Sequence, residues 1–161
     1  MRILYIDIDT QRADHLGCYG YHRNTSPNID ALAASAMQFN NVHASDTPCL
    51  PSRSALLTGR FGIHNGVVNH GGTDADPVID GPGREFWSSL HLTSFPSRLK
   101  RAGLKTASIS SFAQRHSAFH WYAGFDEAQR VPGSIGLETA DEVFDLASHW
   151  LKQYGKQDDW F

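Results

Sequence analysis

Strand-like and helix-like segments alternate along this chain, and the alternation restricts the fold more than any other feature. Residues 2–9 are rich in isoleucine and leucine, and this pattern predicts a buried strand. A helix is predicted over 27–37, with Ser26 as its N-cap and Pro27 at its first position. A short strand is predicted over 38–43. Alternation of this kind is typical of βαβ units, whose parallel strands form a sheet flanked by helices.

The second half of the chain continues the pattern. Helices are predicted over 51–58 and 96–102, each followed by a glycine that can close a helix in the left-handed conformation. Residues 62–92 are predicted to be a long loop that shapes a binding surface, and a strand is predicted over 104–110. A final helix is predicted from a capping box and a one-sided apolar face, namely Thr139 and Glu142 for the box and Val143, Ala147, Trp150, Leu151 and Tyr154 for the face.

Composition excludes several classes of protein. With 161 residues, of which 40% are hydrophobic and 19% charged, the chain is expected to form one domain with a hydrophobic core. A net charge of −3 gives no electrostatic reason to expect binding to nucleic acid or to an anionic membrane. The sequence has neither a signal peptide nor an apolar run long enough to cross a bilayer, which predicts a cytoplasmic location. The last residues, 158–161, look like the opening of another strand, so the chain is expected to be a fragment.

Residues 47–60, with the sequence TPCLPSRSALLTGR, place a thiol immediately before a predicted helix. The N-terminus of a helix offers unpaired backbone N–H groups and the positive end of the helix dipole. An anion or a thiolate at Cys49 would therefore be stabilised there. Arg53 follows roughly one helical turn later, so its guanidinium can return toward the same point. The segment thus pairs a potential nucleophile with a cation suited to an oxyanion.

This segment resembles the signature of the sulfatases, C-x-P-S-R followed by L-T-G-R, within the alkaline phosphatase superfamily. Residues 9–20 and 25–32 resemble the family's first metal-binding loop and the helix after it. The resemblance implies an α/β, alkaline-phosphatase-like fold with a largely parallel central sheet flanked by helices. Residues 1–161 would then be the N-terminal part of a single sulfatase catalytic domain.

The resemblance also implies a chemistry. In sulfatases the cysteine of this signature is oxidised to Cα-formylglycine by a formylglycine-generating enzyme, and its hydrate attacks a sulfate ester with the help of a divalent metal, usually Ca²⁺. Cys49 would be the precursor and, once modified, a metal ligand; Arg53 would stabilise its oxyanion, and Asp9 would bind the metal. The substrate would be a small-molecule or carbohydrate sulfate ester. A fragment that holds only part of the metal shell is expected to be inactive by itself.

Two positions depart from the family's pattern. Many members have a second acidic residue directly after the first, whereas here Asp9 is followed by Thr10, which offers at most a weak oxygen ligand. The lysine and histidine that usually contact the sulfate have no full counterpart, since lysine is absent from residues 110–116. The candidates for that role are Arg115, His116 and His70.

Two other functions stay open at this point. A phosphodiesterase or phosphonate monoester hydrolase of the same superfamily can share the cysteine signature. A non-catalytic binding module would keep the scaffold without the chemistry, although the intact Cys49, Pro51 and Arg53 speak against it. The second cysteine, Cys18, has no cationic neighbour in sequence and is expected to be structural. The nine histidines show no zinc-ligand spacing, and most are expected to be ordinary polar or surface residues.

Overall fold

The computed structural model describes residues 1–77, 92–133 and 135–161. They form two compact units, one made of residues 1–5 and 45–161 and the other of residues 6–44. Within the described ranges, no helix combines the length and the apolar sequence needed to cross a bilayer.

The unit formed by residues 6–44 contains helix α1, Pro27–Ala33, and two short 3-10 helices, Ala13–His15 and Gly17–Tyr19. Pro27 opens α1 as predicted, but the helix ends before residue 37. The Ser35 side chain bonds back to the Leu32 carbonyl oxygen at 3.3 Å, which offers the backbone an alternative to further helical turns.

The predicted N-cap, Ser26, does not cap α1 through its side chain. Its hydroxyl instead accepts from the Gly17 N–H at 2.9 Å and donates to Asp30 at 3.0 Å. A Cβ at residue 17 would lie 2.3 Å from an Asp30 carboxylate oxygen, so a larger residue there would push the Asp30 side chain out of this arrangement.

The strand predicted at residues 2–9 is wrong, apart from its first residues. Arg2 forms a parallel bridge to Trp160, and the described residues provide no β-bridge for residues 4–9. The apolar side chains Leu4 and Ile6 are accordingly 59% and 55% exposed. A strand becomes buried only when neighbouring strands satisfy its backbone groups and cover its faces.

The strand predicted at residues 38–43 is also wrong. Hydrogen bonds from side chains, and not the backbone bonds of a β-ladder, fix the position of this segment. Tyr19 donates its hydroxyl to the Phe39 carbonyl oxygen at 2.7 Å, and the Gln38 amide donates to the Cys18 carbonyl oxygen at 3.0 Å.

The unit containing residues 45–161 combines helices with a small parallel sheet, which confirms the α/β class. Its helices are α2, Cys49–Thr58; α3, Gly62–Asn65; α4, Phe95–Arg101; α5, Phe112–Arg115; and α6, Ala140–Tyr154, with 3-10 helices at Gly72–Ala75 and Phe119–Tyr122. The part of the predicted 62–92 loop beyond residue 77 lies mostly outside the described residues. Strand β1, Ala107–Ile109, pairs in parallel with β2, Glu127–Gln129, so the predicted strand 104–110 is confirmed at its centre.

The predicted helix ends are confirmed where a local signal marks them. Gly59 closes α2 with φ 68°, in the left-handed conformation that glycine adopts without strain. The capping box between Thr139 and Glu142 is present at the start of α6. The apolar face predicted for α6 is its less exposed face, with Trp150 buried and the other four residues half-buried.

A cluster of buried apolar side chains anchors the N-terminal end of α2. It consists of Leu50, Val67, Ala75, Phe112 and Ala118, and Cys49 and Trp121 pack against it. Because Leu50 and Phe112 belong to the same cluster, α2 and α5 are held against each other where their candidate site residues lie.

Candidate active site

Cys49 is the first residue of α2 and is half-buried. Its sulfur lies 3.1 Å from the Nε2 atom of His70 and 3.9 Å from the Nε2 atom of His116. The two imidazole rings are 4.9 Å apart between centroids. Both histidines that the sequence suggested as contacts to a bound anion therefore lie beside the thiol.

Short helices and loop hydrogen bonds hold the two histidines. His70 lies on a loop whose backbone N–H groups at Val68 and Asn69 donate to the Asp74 carbonyl oxygen at 2.8 and 3.0 Å. His116 follows α5 directly, and its N–H donates to the Phe112 carbonyl oxygen at 3.2 Å. The imidazoles are thus placed by backbone bonds of nearby turns.

Arg53 lies on α2, one turn after Cys49, and is half-buried. Its guanidinium carbon is 4.3 Å from the centre of the Phe112 ring, and the same ring is 4.5 Å from the His116 ring. A cation stacked on an aromatic face is restrained in orientation. Arg115, the third candidate for sulfate contact, donates instead to the Gly136 carbonyl oxygen at 3.2 Å.

Asp9 and Thr10 belong to the unit of residues 6–44 and are exposed. The Thr10 hydroxyl donates to an Asp9 carboxylate oxygen at 3.0 Å. Thr10 has φ 62°, a left-handed conformation that β-branched residues rarely adopt. Their oxygen atoms are of the kind that Ca²⁺ prefers. Within the part of the chain that the structure describes, no three acidic, histidine or cysteine side chains form a metal site.

One buried polar pair beside the site was not predicted. Ser54 is fully buried and His120 is 3% exposed, and the Ser54 hydroxyl oxygen lies 3.0 Å from His120 Nε2. Most histidines in the described part of the chain are exposed, in line with the expectation that most are ordinary polar or surface residues, and His120 is an exception. Burial lowers the pKa of His120 to about 4, against the opposing effect of the Asp76 charge. The only sequence signal was its spacing of four residues from His116.

The buried imidazole predicts a specific acid sensitivity of the fold. The folded state keeps His120 neutral down to about pH 4, whereas the unfolded chain binds a proton near pH 6.5. Stability should therefore fall as the pH drops from about 6.5 to about 4, by about 3 kcal/mol for this group at full effect. Denaturant unfolding at pH 7 and pH 4 measures it. His120→Gln should lose less stability over this range than the unchanged chain, and equal losses would contradict the prediction.

The chain shows clear similarity to known proteins. The family model described as Sulfatase matches residues 2–161. Arylsulfatase G of Rattus norvegicus is 30% identical over 141 residues, which are 86% of this chain and 25% of the rat protein. The ulvan-active sulfatase of Formosa agariphila is 39% identical over 75 residues, 46% of this chain and 15% of that protein. Human arylsulfatase A is 42% identical over 65 residues, 40% of this chain and 13% of the human protein.

The chain spans about a quarter or less of the length of these relatives. No solved structure matches it significantly. The family match nevertheless extends over almost every residue, including the cysteine segment and both neighbouring histidines. This chain belongs to the sulfatase family.

Proposed function

We propose that this chain is the N-terminal part of the catalytic domain of a sulfuric ester hydrolase, with Cys49 as the precursor of its nucleophile. One observation carries the proposal. The Cys49 sulfur lies at the start of α2 beside two imidazoles, and a guanidinium extends from the next turn of the same helix. The complete domain would have an alkaline-phosphatase-like fold, in which β1 and β2 belong to a largely parallel central sheet.

The sulfur of Cys49 stands in for an oxygen of the hydrated formylglycine. In the first step one hydroxyl of the hydrate loses its proton to a base and attacks the sulfur atom of the ester. The new O–S bond forms as the S–O bond to the alcohol breaks, and the leaving oxygen takes a proton from an acid. His70 and His116 lie close to the Cys49 sulfur and could exchange these protons, since imidazoles commonly act as general acids and bases.

In the second step the other hydroxyl gives up its proton. Its electron pair re-forms the carbonyl group, the C–O bond to sulfate breaks, and sulfate leaves. Water then rehydrates the aldehyde, so the nucleophile is restored. Arg53 would lower the energy of both steps by donating N–H groups to the anionic oxygens at residue 49.

The residues of this chain offer the type of ligand that a divalent cation needs, namely oxygen atoms. They offer too few of these ligands to complete its coordination shell. Asp9 and Thr10 would contribute oxygen atoms from this chain. Such a cation would supply positive charge that makes the attacking hydroxyl more acidic. Ca²⁺ is one of the hard cations that bind oxygen ligands of this type, and it is the metal that the sulfatase resemblance implies.

Ca²⁺ binding to this chain alone is expected to be weak. A cation held by one or two protein oxygens keeps most of its water, so the Kd should be no tighter than about 1 mM. Isothermal titration calorimetry with CaCl₂ measures this affinity, with Asp9→Asn as the matched variant. Micromolar binding that Asp9→Asn abolishes would contradict the expectation.

The proposed partners follow from the same chemistry. A formylglycine-generating enzyme would modify Cys49, and the substrate would be a small-molecule or carbohydrate sulfate ester. Specificity for the alcohol part of the substrate would depend on loops elsewhere in the complete protein. The cytoplasmic location expected from the sequence stays a prediction.

Side-by-side hydrolysis of an aryl sulfate and an aryl phosphodiester tests the proposed reaction. The full-length protein is expressed with a formylglycine-generating enzyme, and kcat/KM is measured for both esters. Faster turnover of the sulfate is expected. Faster turnover of the diester would favour a phosphodiesterase, and turnover of neither ester by a protein that carries the aldehyde would favour a binding module.

A further inference from the structure

Ser54 and His120 connect the two segments that carry the candidate site. Ser54 follows Arg53 directly on α2, five residues after Cys49. His120 lies in the 3-10 helix Phe119–Tyr122, four residues after His116. Both side chains are buried, and their polar atoms are 3.0 Å apart.

The segment around His120 is continuous with α5. The Ala118 N–H donates to the Ala113 carbonyl oxygen at 2.8 Å, and the Trp121 N–H donates to Ala118 at 3.0 Å. The Trp121 ring is 5.6 Å from the Phe112 ring in an edge-to-face arrangement. A displacement of His120 would therefore move Phe112 and His116 with it.

On the Ser54 side of this hydrogen bond, helix α2 links Ser54 to the nucleophile. Ser54 and Cys49 are fixed to each other by the helix backbone, and Arg53 is the residue next to Ser54. The Thr58 hydroxyl donates to the Ser54 carbonyl oxygen at 2.7 Å, which ties this turn to the end of the helix.

We propose that His120 is a positioning residue of the sulfatase reaction, acting through its hydrogen bond with Ser54. The bond sets the register of Cys49 and Arg53, on α2, against the imidazole of His116. Apolar packing alone allows small sliding movements, whereas a buried hydrogen bond is directional and costly to break. This inference rests on the proposed function, because it concerns the geometry of that reaction.

The test uses the full-length protein carrying formylglycine, with an aryl sulfate as substrate. His120→Ala should lower kcat about tenfold to a hundredfold, since small misplacements of reacting groups have effects of this size. KM should change less than about twofold, because no substrate contact is removed. His120→Gln can place a polar atom near the former Nε2 position and should recover most of the lost kcat.

Ser54→Ala removes one oxygen atom and provides the same test if His120→Ala does not fold. The double variant should be no slower than His120→Ala, because both substitutions break one bond. Thr106→Val is the matched control. It removes a buried hydroxyl that bonds to Gly124 and Asp126, neither of which is a residue of the candidate site. It should lower stability and leave kcat unchanged.

The outcomes separate the two proposals. A folded His120→Ala or Ser54→Ala with unchanged kcat would overturn the positioning role, and so would a Thr106→Val that loses as much kcat as they do. Absence of aryl sulfate turnover by the unmutated, aldehyde-bearing protein would instead overturn the proposed function.

Discussion

Replacement of Cys49 by alanine is expected to abolish sulfate ester turnover in the full-length protein and to leave the fold intact. The variant cannot form an aldehyde, so the covalent route is lost, and a decrease in kcat of about 10⁴-fold or more is expected. The side chain is half-buried at the first position of α2, and alanine suits helices. Aryl sulfate kinetics and denaturant unfolding measure the two effects.

Cys18→Ala is the matched control for this prediction. Cys18 lies in the 3-10 helix Gly17–Tyr19, and burial together with the Asp30 carboxylate raises the pKa of its thiol. Its removal should leave turnover unchanged. Substantial activity in Cys49→Ala would show that Cys49 is not the nucleophile precursor, and global unfolding of the variant would count against the assignment.

Replacement of Arg53 by methionine is expected to lower kcat by about 10² to 10³-fold. Methionine can pack against the Phe112 ring on which the Arg53 guanidinium is stacked, but it donates no hydrogen bond to a developing oxyanion. Arg53→Lys should recover part of the rate, because lysine restores the charge without the planar fork.

The effect of Arg53 is separable from a general loss of positive charge. Arg101→Met on α4 is a suitable control, since the exposed Arg101 donates to the Leu92 carbonyl oxygen. It should change kcat less than about twofold, as surface charges contribute little. If Arg53→Met retained full kcat, oxyanion stabilisation by this guanidinium would be excluded.

The parts of the fold that were predicted correctly depend on local signals. The end of α2 follows from Gly59, and the start of α6 follows from its capping box, both within one helical turn. The strands at residues 2–9 and 38–43 were predicted wrongly, because a strand depends on partners distant in sequence. Local pattern indicates which residues are apolar but not which neighbours will cover them.

In the candidate site, too, features that depend on local sequence were predicted, and features that depend on residues distant in sequence were not. The cysteine segment identified Cys49 and Arg53 because their spacing lies within one helix. His70 is 21 residues from Cys49, and only the folded chain shows that the two side chains meet. The burial of His120 against Ser54 was missed, because burial depends on packing between distant segments. The metal-binding role of Asp9 and Thr10 stays a prediction, since both lie in the other compact unit.

The chemical state of residue 49 decides whether this chain carries a sulfatase nucleophile. The chain is co-expressed with a formylglycine-generating enzyme, and its peptides are examined by mass spectrometry and with an aldehyde-reactive probe. We expect an aldehyde at residue 49 and an unchanged thiol at Cys18, which serves as the internal control. A thiol at both positions, in a preparation whose modifying enzyme converts a known substrate, would show that Cys49 is not a formylglycine precursor.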